Sequence, residues 1–273
     1  MEEVPLYSVC PGCLAVRVVV PGGGFECDAC WWNEYRDATS LAVKALTDKL
    51  LMDKLSITRA EIVVIDGPDP IEARADAIAS ILSSLGGSRI VRVVKTLGLI
   101  GHDKLEKVVK NVDAVIVELA VFAVKSKPRE FTKVYETLEW LVKKNVHVEL
   151  LFPYAVRGAK TILTDIVMRW KVPTTVLVVD ENLYDEAYKT VDKLRSENHP
   201  VFLHEDTSYT LLDYKCPYCG EILVERRPWR VMRRYTPPNE PSRVTCPSCK
   251  REVALLDLAP VKRPRIKRRV VIY

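Results

Sequence analysis

The residues of this 273-residue chain with the clearest capacity for chemistry are its eight cysteines, all of which fall in Cys-x-x-Cys pairs. The pairs are Cys10/Cys13, Cys27/Cys30, Cys216/Cys219 and Cys246/Cys249. A two-residue gap lets two sulfurs reach one ion, and two such pairs close a tetrahedral four-sulfur shell. Disulfide frameworks belong to small secreted domains, whereas paired cysteines in a cytosolic chain point to metal. The sequence therefore predicts two sites, one from Cys10, Cys13, Cys27 and Cys30, the other from Cys216, Cys219, Cys246 and Cys249. Zinc is the default ion for each. A closed four-sulfur shell does no chemistry and serves structure. In the C-terminal set Gly220 suits the tight bend after the second ligand, and Cys246-Pro-Ser-Cys249 supplies the second knuckle.

Charge is distributed unevenly. Residues 214–273 carry 15 Lys/Arg against 5 Asp/Glu, a net +10, while the rest of the chain is net −5. Between the C-terminal knuckles lie Arg226, Arg227, Arg230, Arg233 and Arg234, interleaved with Trp229 and Tyr235. The tail adds Lys262, Arg263, Arg265, Lys267, Arg268 and Arg269. Arginine forks pair with phosphates and aromatic rings stack on unpaired bases, so the pattern points to RNA or a ribonucleoprotein. An acidic protein partner would use the same charges, and the bland alternative is a solvated face with a disordered tail. Hydrophobic content of 48% and charged content of 28% are those of a globular protein. MEEVPLYSVC has no basic region leading into an apolar stretch, and no run reaches about 18 apolar residues. The expectation is a cytoplasmic protein with no membrane segment.

The elements that must position these residues are short Val/Ile-rich runs alternating with amphipathic stretches. The runs are 13–20, 61–65, 89–95, 114–119, 146–152, 174–179 and 201–203, mostly without polar alternation, as suits parallel strands buried on both faces. Ile71, Ala75, Ile78, Leu82 and Leu85 trace one helix face, stopped by Gly86-Gly87. Phe131, Val134, Leu138 and Leu141 trace a second; Tyr184, Ala187, Val191 and Leu194 trace a third. The alternation predicts an α/β fold with a parallel sheet, open or curled into a barrel. The segmentation expected is 1–36 (metal segment with the first strand), 37–209 (parallel core), 210–258 (zinc ribbon) and 259–273 (basic tail). No phosphate-binding Gly loop or serine elbow is present, and the four histidines show no metal-ligand spacing.

The second N-terminal cysteine pair follows the first strand in the context Gly22-Gly23-Gly24-Phe25-Glu26-Cys27-Asp28-Ala29-Cys30-Trp31-Trp32-Asn33. This resembles the first loop of the radical S-adenosylmethionine (radical-SAM) superfamily, whose Cys-x-x-x-Cys-x-x-Cys motif holds a [4Fe–4S] cluster. Cys27 and Cys30 match its second and third cysteines, and the first falls on Gly23. Asp66-Gly67-Pro68-Asp69-Pro70 resembles the Gly-Gly-Glu-Pro segment that contacts the cofactor's methionine part, which would give Gly67 and Asp69 a vestigial cofactor-binding place. Thr96-Leu97-Gly98 resembles Thr-Asn-Gly, and Val117-Glu118-Leu119-Ala120 the region of Asp-x-Lys. Lys144–Leu150 with Phe152-Pro153 is similar to the fifth strand and its Ile-Pro-Gly loop. The Cys-Pro-x-Cys-Gly ribbon is similar to the end of AmmeMemoRadiSam-type proteins, relatives of the pyruvate formate-lyase activating enzymes.

The resemblance implies a partial (β/α) barrel of radical-SAM type with an N-terminal four-cysteine site and a C-terminal zinc ribbon. Its departures fall on the chemistry: Gly23 removes a cluster ligand, Pro68 and Asp69 replace Gly and Glu, and Ala120 replaces Lys. They imply a scaffold that has lost the radical reaction, with no catalytic residue assigned. The alternative is an S-adenosylmethionine-dependent enzyme whose [4Fe–4S] cluster takes Cys10 or Cys13 as its third ligand. If both joined, the open iron position would disappear. Asp69 has a plainer reading, as the cap of the helix that follows the second strand, and Thr96–Gly98 reads as a turn.

Overall fold

Strands and helices alternate along the chain as the apolar pattern requires. The order is β1 (Ala15–Val19), α1 (Asp48–Thr58), β2 (Ile62–Asp66), α2 (Pro70–Ser84), β3 (Val91–Thr96), α3 (His102–Val109), β4 (Ala114–Glu118), α4 (Pro128–Lys143), β5 (His147–Tyr154), α5 (Ala159–Trp170), β6 (Thr174–Val178), α6 (Tyr184–Ser196) and β7 (Val201–Leu203). Short strands follow: β8 (Tyr214–Lys215), β9 (Ile222–Arg227), β10 (Arg230–Arg233), β11 (Ser242–Thr245), β12 (Glu252–Asp257) and β13 (Val271–Ile272). This computed structural model describes residues 6–20, 48–122, 128–227, 230–259 and 271–272. Gly23, Cys27, Cys30, Trp229, Lys262, Arg263, Arg265, Lys267, Arg268 and Arg269 lie outside the described residues.

The chain divides into two compact units. One comprises Cys13–Val117, Lys127–His147 and Pro260–Tyr273. In it β1, β2, β3 and β4 pair in parallel in sequence order, Val63 facing Val16 and Arg92 on its two sides. Every residue of β2 and β4 is buried, the signature of strands covered on both faces. Helix α2 starts where Asp69 caps it and Pro70 sets the first turn, and it buries Ile71, Ala75, Ile78 and Leu82. Helix α4 turns Val134, Leu138 and Leu141 inward. The last strand, β13, lies parallel to β1, Val271 opposite Arg17 and Ile272 opposite Val18. The far end of the expected basic tail is thus an edge strand of this sheet.

The other unit comprises Met1–Gly12, Glu118–Ser126 and Val148–Ala259. Strands β5, β6 and β7 pair in parallel, with Leu150 opposite Thr174 and Thr174 opposite Val201. Helix α6 carries Asp185 and Glu186 in its first turn and Lys193 and Arg195 in its last, which suits the helix dipole. The cysteine-bounded module consists of two antiparallel pieces, β10-β9-β8 and β11-β12. It shares one apolar cluster with β7 and the N-terminal segment, in which Tyr7, Phe202, Leu212, Tyr214, Leu223, Val244 and Leu255 pack together. The N-terminal segment runs along β12: Cys10 N–H donates to Leu256 O at 2.7 Å and Leu256 N–H to Ser8 O at 2.9 Å.

An α/β fold with parallel strands and a C-terminal four-cysteine module is therefore present, as the sequence predicts. The strand pairing seen within each unit does not close into a barrel. Six helices occur among the described residues, where the apolar spacing predicted three. The additional α1, α3 and α5 are short or amphipathic only in part; α3 buries just Leu105 and Val108.

Candidate metal centre and the strand-end residues

Two matching turns present the C-terminal cysteines. In the first, between β8 and β9, Cys216 N–H donates to Glu221 O at 2.8 Å and Gly220 N–H to Cys216 O at 2.9 Å. Gly220 has φ of +76°, the left-handed bend read from the sequence. In the second, between β11 and β12, Cys246 N–H donates to Arg251 O at 2.9 Å and Lys250 N–H to Cys246 O at 3.0 Å. Lys250 takes the left-handed position there, with φ of +61°.

The turns bring the four sulfurs together. Cys216 and Cys249 Sγ are 3.7 Å apart, as are Cys219 and Cys246 Sγ, and all four lie within 4.8 Å of one another. A tetrahedral ion with metal–sulfur bonds of about 2.3 Å needs sulfur–sulfur edges of about 3.8 Å. The set fits one mononuclear ion. In a four-iron cluster each thiolate sits on its own iron. Burial pushes the Cys216 thiol up to about 12, against the backbone amides of Tyr218 and Cys219 that donate to its sulfur. A cation is what would hold such a buried sulfur as thiolate.

The N-terminal set is only half described. Cys10 and Cys13 are disulfide-bonded in this structure. Thiolate ligation requires their reduction. The Cys10 sulfur lies within 4.8 Å of an Asp257 carboxylate oxygen. That carboxylate is already held: Arg233 donates to it at 2.6 and 3.1 Å, and the Tyr235 hydroxyl and Leu258 N–H donate as well.

At the ends of β2 and β3, Gly67 and Asp69 have plain structural occupations. Gly67 has φ of +130°, and a Cβ there would stand 2.1 Å from Val20 O. Only glycine lets the two chain segments approach this closely. Asp69 accepts from Glu72 N–H at 3.3 Å, Thr96 Oγ1 at 3.1 Å and Leu97 N–H at 3.0 Å. It caps α2 and ties the loop after β2 to the loop after β3. Burial raises its pKa to about 6, against the lowering effect of these donors. Thr96–Gly98 is a turn, with Gly98 N–H donating to Thr96 Oγ1 at 3.1 Å. Ala120, where the resemblance expects lysine, is fully buried in a 3-10 turn.

Sequence reasoning missed the charges beneath these loops. Asp66 accepts from Arg17 at 2.6 Å and lies 3.5 Å from Lys95 Nζ, all three buried. A charged residue inside each of the strands AVRVV, IVVID and VRVVKT was the available signal. Missed too was Glu149 on β5. It is buried and receives Tyr7 N–H at 2.9 Å, Ser8 Oγ at 2.6 Å and Thr175 Oγ1 at 2.8 Å. Burial raises its pKa, opposed by these donors.

The basic residues divide sharply. Arg226 has to be withdrawn from the nucleic-acid set: it is 2% exposed, and its guanidinium donates to Leu212 O and to Tyr7 O at 2.8 Å. Arg233 is similarly engaged with Asp257. Arg227, Arg230 and Arg234 are exposed, although Arg227 and Arg234 both pair with Glu225. Of the histidines, His204 Nδ1 is 2.8 Å from the Tyr7 hydroxyl, His102 stacks on Trp140 at 5.4 Å, and His147 is buried.

No family model and no curated protein matches the sequence. Solved structures do match. Streptococcus suis SuiB bound to S-adenosylmethionine superposes with a TM-score of 0.51 at 15% identity, over 72% of this chain and 47% of that one. The fold is of the radical-SAM type. A second radical-SAM enzyme, anSMEcpe with bound AdoMet, aligns with a TM-score of 0.43 at 14% identity, over 59% of this chain and 50% of that one. The chain thus spans about half the length of either. No helix among the described residues is long and apolar enough to cross a membrane.

Proposed function

We propose that this chain is a metal-binding radical-SAM-like scaffold that has lost radical catalysis and binds RNA or a ribonucleoprotein through its basic ribbon and tail. The observation that carries the loss of catalysis is the state of Asp69. It stands where the resemblance expects a cofactor-contacting carboxylate, yet its oxygens accept from Glu72, Thr96 and Leu97 of its own scaffold. Gly23 in place of a cluster cysteine and Ala120 in place of lysine agree with that reading. Zinc is the ion assigned to Cys216, Cys219, Cys246 and Cys249, since four thiolates at tetrahedral spacing suit it. After reduction, Cys10, Cys13, Cys27 and Cys30 form a second zinc set. The C-terminal excess of positive charge, with exposed Arg227, Arg230 and Arg234, supports the RNA reading. The protein acts in the cytoplasm, its cysteines reduced.

Anaerobic purification followed by metal analysis and absorption spectroscopy tests the first part. Two zinc ions per chain and no visible chromophore are expected. About four irons per chain, with a spectrum that shifts on adding S-adenosylmethionine, would establish the radical enzyme instead. For RNA, replacing Arg263, Arg265, Lys267, Arg268 and Arg269 with Gln should weaken binding and flatten its salt dependence. Neutralisation is preferable to truncation because truncation also removes β13 from β1. Unchanged binding would remove the tail from the interface.

A further inference from the structure

The ribbon has a concave face that neither knuckle explains. A cavity of about 640 Å³ is lined by Arg233, Arg234, Tyr235, Thr236, Thr245 and Lys250 beside Cys246-Pro247. No carboxylate lines it. Next in sequence to Lys250, exposed Arg251 lies with its guanidinium 4.9 Å from the ring centroid of Tyr218, which is 53% exposed. A large aromatic ring held open to solvent on a rigid knuckle, backed by a cation and adjoining a basic concavity, is a stacking platform beside a phosphate seat.

The charge balance decides whether an anion would enter. Four thiolates around a divalent ion leave about −2 at the knuckles. Arg233 is neutralised by Asp257, and Glu225 offsets one of Arg227 and Arg234. The other of that pair, with Arg230, Lys250 and Arg251, leaves four positive charges, two more than the knuckles' negative charge. The surplus sits in flexible exposed side chains, where an anion can draw it together.

We propose that this face binds single-stranded RNA, one phosphodiester entering the cavity against Arg234 and Lys250 and a neighbouring unpaired base stacking on Tyr218. A duplex keeps its base faces internal and cannot use the Tyr218 ring. The inference rests on the RNA reading above and narrows it to the ribbon and to unpaired strands.

The test is fluorescence anisotropy of the full, metal-replete chain with a labelled 12-nucleotide oligouridine, the same length of duplex RNA, and poly-glutamate as competitor. Wild type should prefer the single strand. Tyr218→Ala should weaken it about five- to hundred-fold, Tyr218→Phe should restore it, and Lys250→Ala should reduce the salt slope by about 0.7. Metal content and thermal midpoint, unchanged in these exposed-site variants, certify the fold. Wild-type binding that neither variant alters would overturn this inference alone and leave RNA to the tail. Absence of any RNA binding by wild type, or equal displacement by poly-glutamate with no role for Tyr218, would overturn the RNA reading and this inference with it.

Discussion

Replacing Arg226 with Met separates a structural arginine from an RNA-binding one. The side chain is buried, its guanidinium donates to Leu212 O and Tyr7 O, and it lies 5.0 Å from the Tyr7 ring centroid. Methionine fills most of the arginine stem, so the cavity contribution is small. Two charge-assisted hydrogen bonds are lost, each about 1.5–3 kcal/mol, and two buried carbonyls are left without these donors. Removing a buried charge recovers some desolvation, which works in the opposite sense. The balance is a destabilisation of about 3–5 kcal/mol, as for breaking other buried charge networks. Arg226→Lys keeps the charge but cannot serve both carbonyls, and should fall between. Urea unfolding followed by circular dichroism measures the effect. Hydrogen exchange at residues 6–12 localises it, because a chain of two units need not unfold in one step. The expected pattern is a lower midpoint, faster exchange at Tyr7 and Ser8, and unaltered RNA affinity per folded molecule. A fully stable Arg226→Met that loses RNA binding tenfold would refute the reasoning.

Gly67→Ala should lower stability by about 2–4 kcal/mol, through the strained φ and the clash with Val20 O, read as a drop in thermal midpoint. Asp69 makes stability pH-dependent. Its folded pKa of about 6 exceeds its model value of 3.8, so the folded state holds a proton that the unfolded state has released. That contribution is complete below about 4 and disappears as pH rises through 6. The stability of wild type relative to Asp69→Asn should therefore fall between pH 5 and 7.5, by at most about 3 kcal/mol at ~1.4 kcal/mol per unit; a pH-independent difference would contradict the burial argument. Cys219→Ser should remove one metal equivalent per chain and lower the thermal midpoint, whereas Cys10→Ser should spare that equivalent. Elemental analysis of the two variants checks this pairing of knuckles.

What the sequence disclosed and what it hid follow from the range of the interactions involved. The strands and the Cys216–Gly220 turn are encoded within a few residues, by apolar runs and by spacing, and could be read directly. Asp69 as a helix cap was legible for the same reason, with Pro70 immediately after it. Its bonds to Thr96 and Leu97 were not, since they span 27 and 28 positions. Arg226 was misread because five nearby arginines look like one surface. Strand alternation held a correction. Arg226 shares a face with Val224, while Arg227 shares one with Glu225, and β9 buries the first pair and leaves Arg227 outside. Nothing local announced Glu149, whose donors come from the N-terminal segment and β6.

The buried polar groups of the two units bear on function as a set. In one unit Asp66 is held by Arg17 and Lys95, and Asp69 by Thr96 and Leu97. In the other, Glu149 is held by Tyr7, Ser8 and Thr175, while Arg195 donates to Val201 O and Asp213 O. A catalytic site needs groups whose hydrogen-bonding capacity remains available to a substrate, and desolvated groups fully engaged with their own backbone lack it. At the ribbon the relation is reversed. Lys250, Arg251 and Arg230 extend into solvent, and Tyr218 offers an open ring face. An old strand-end site filled by internal bonds and a new surface built on a metal knuckle are what the loss of one function and the gain of another would leave behind. Restoring Cys at position 23 and Lys at position 120 should consequently yield no cleavage of S-adenosylmethionine, because the carboxylate of Asp69 would still be closed against Thr96 and Leu97. Detectable 5′-deoxyadenosine from that double variant under reducing, anaerobic conditions would mean that the strand-end site is open after all.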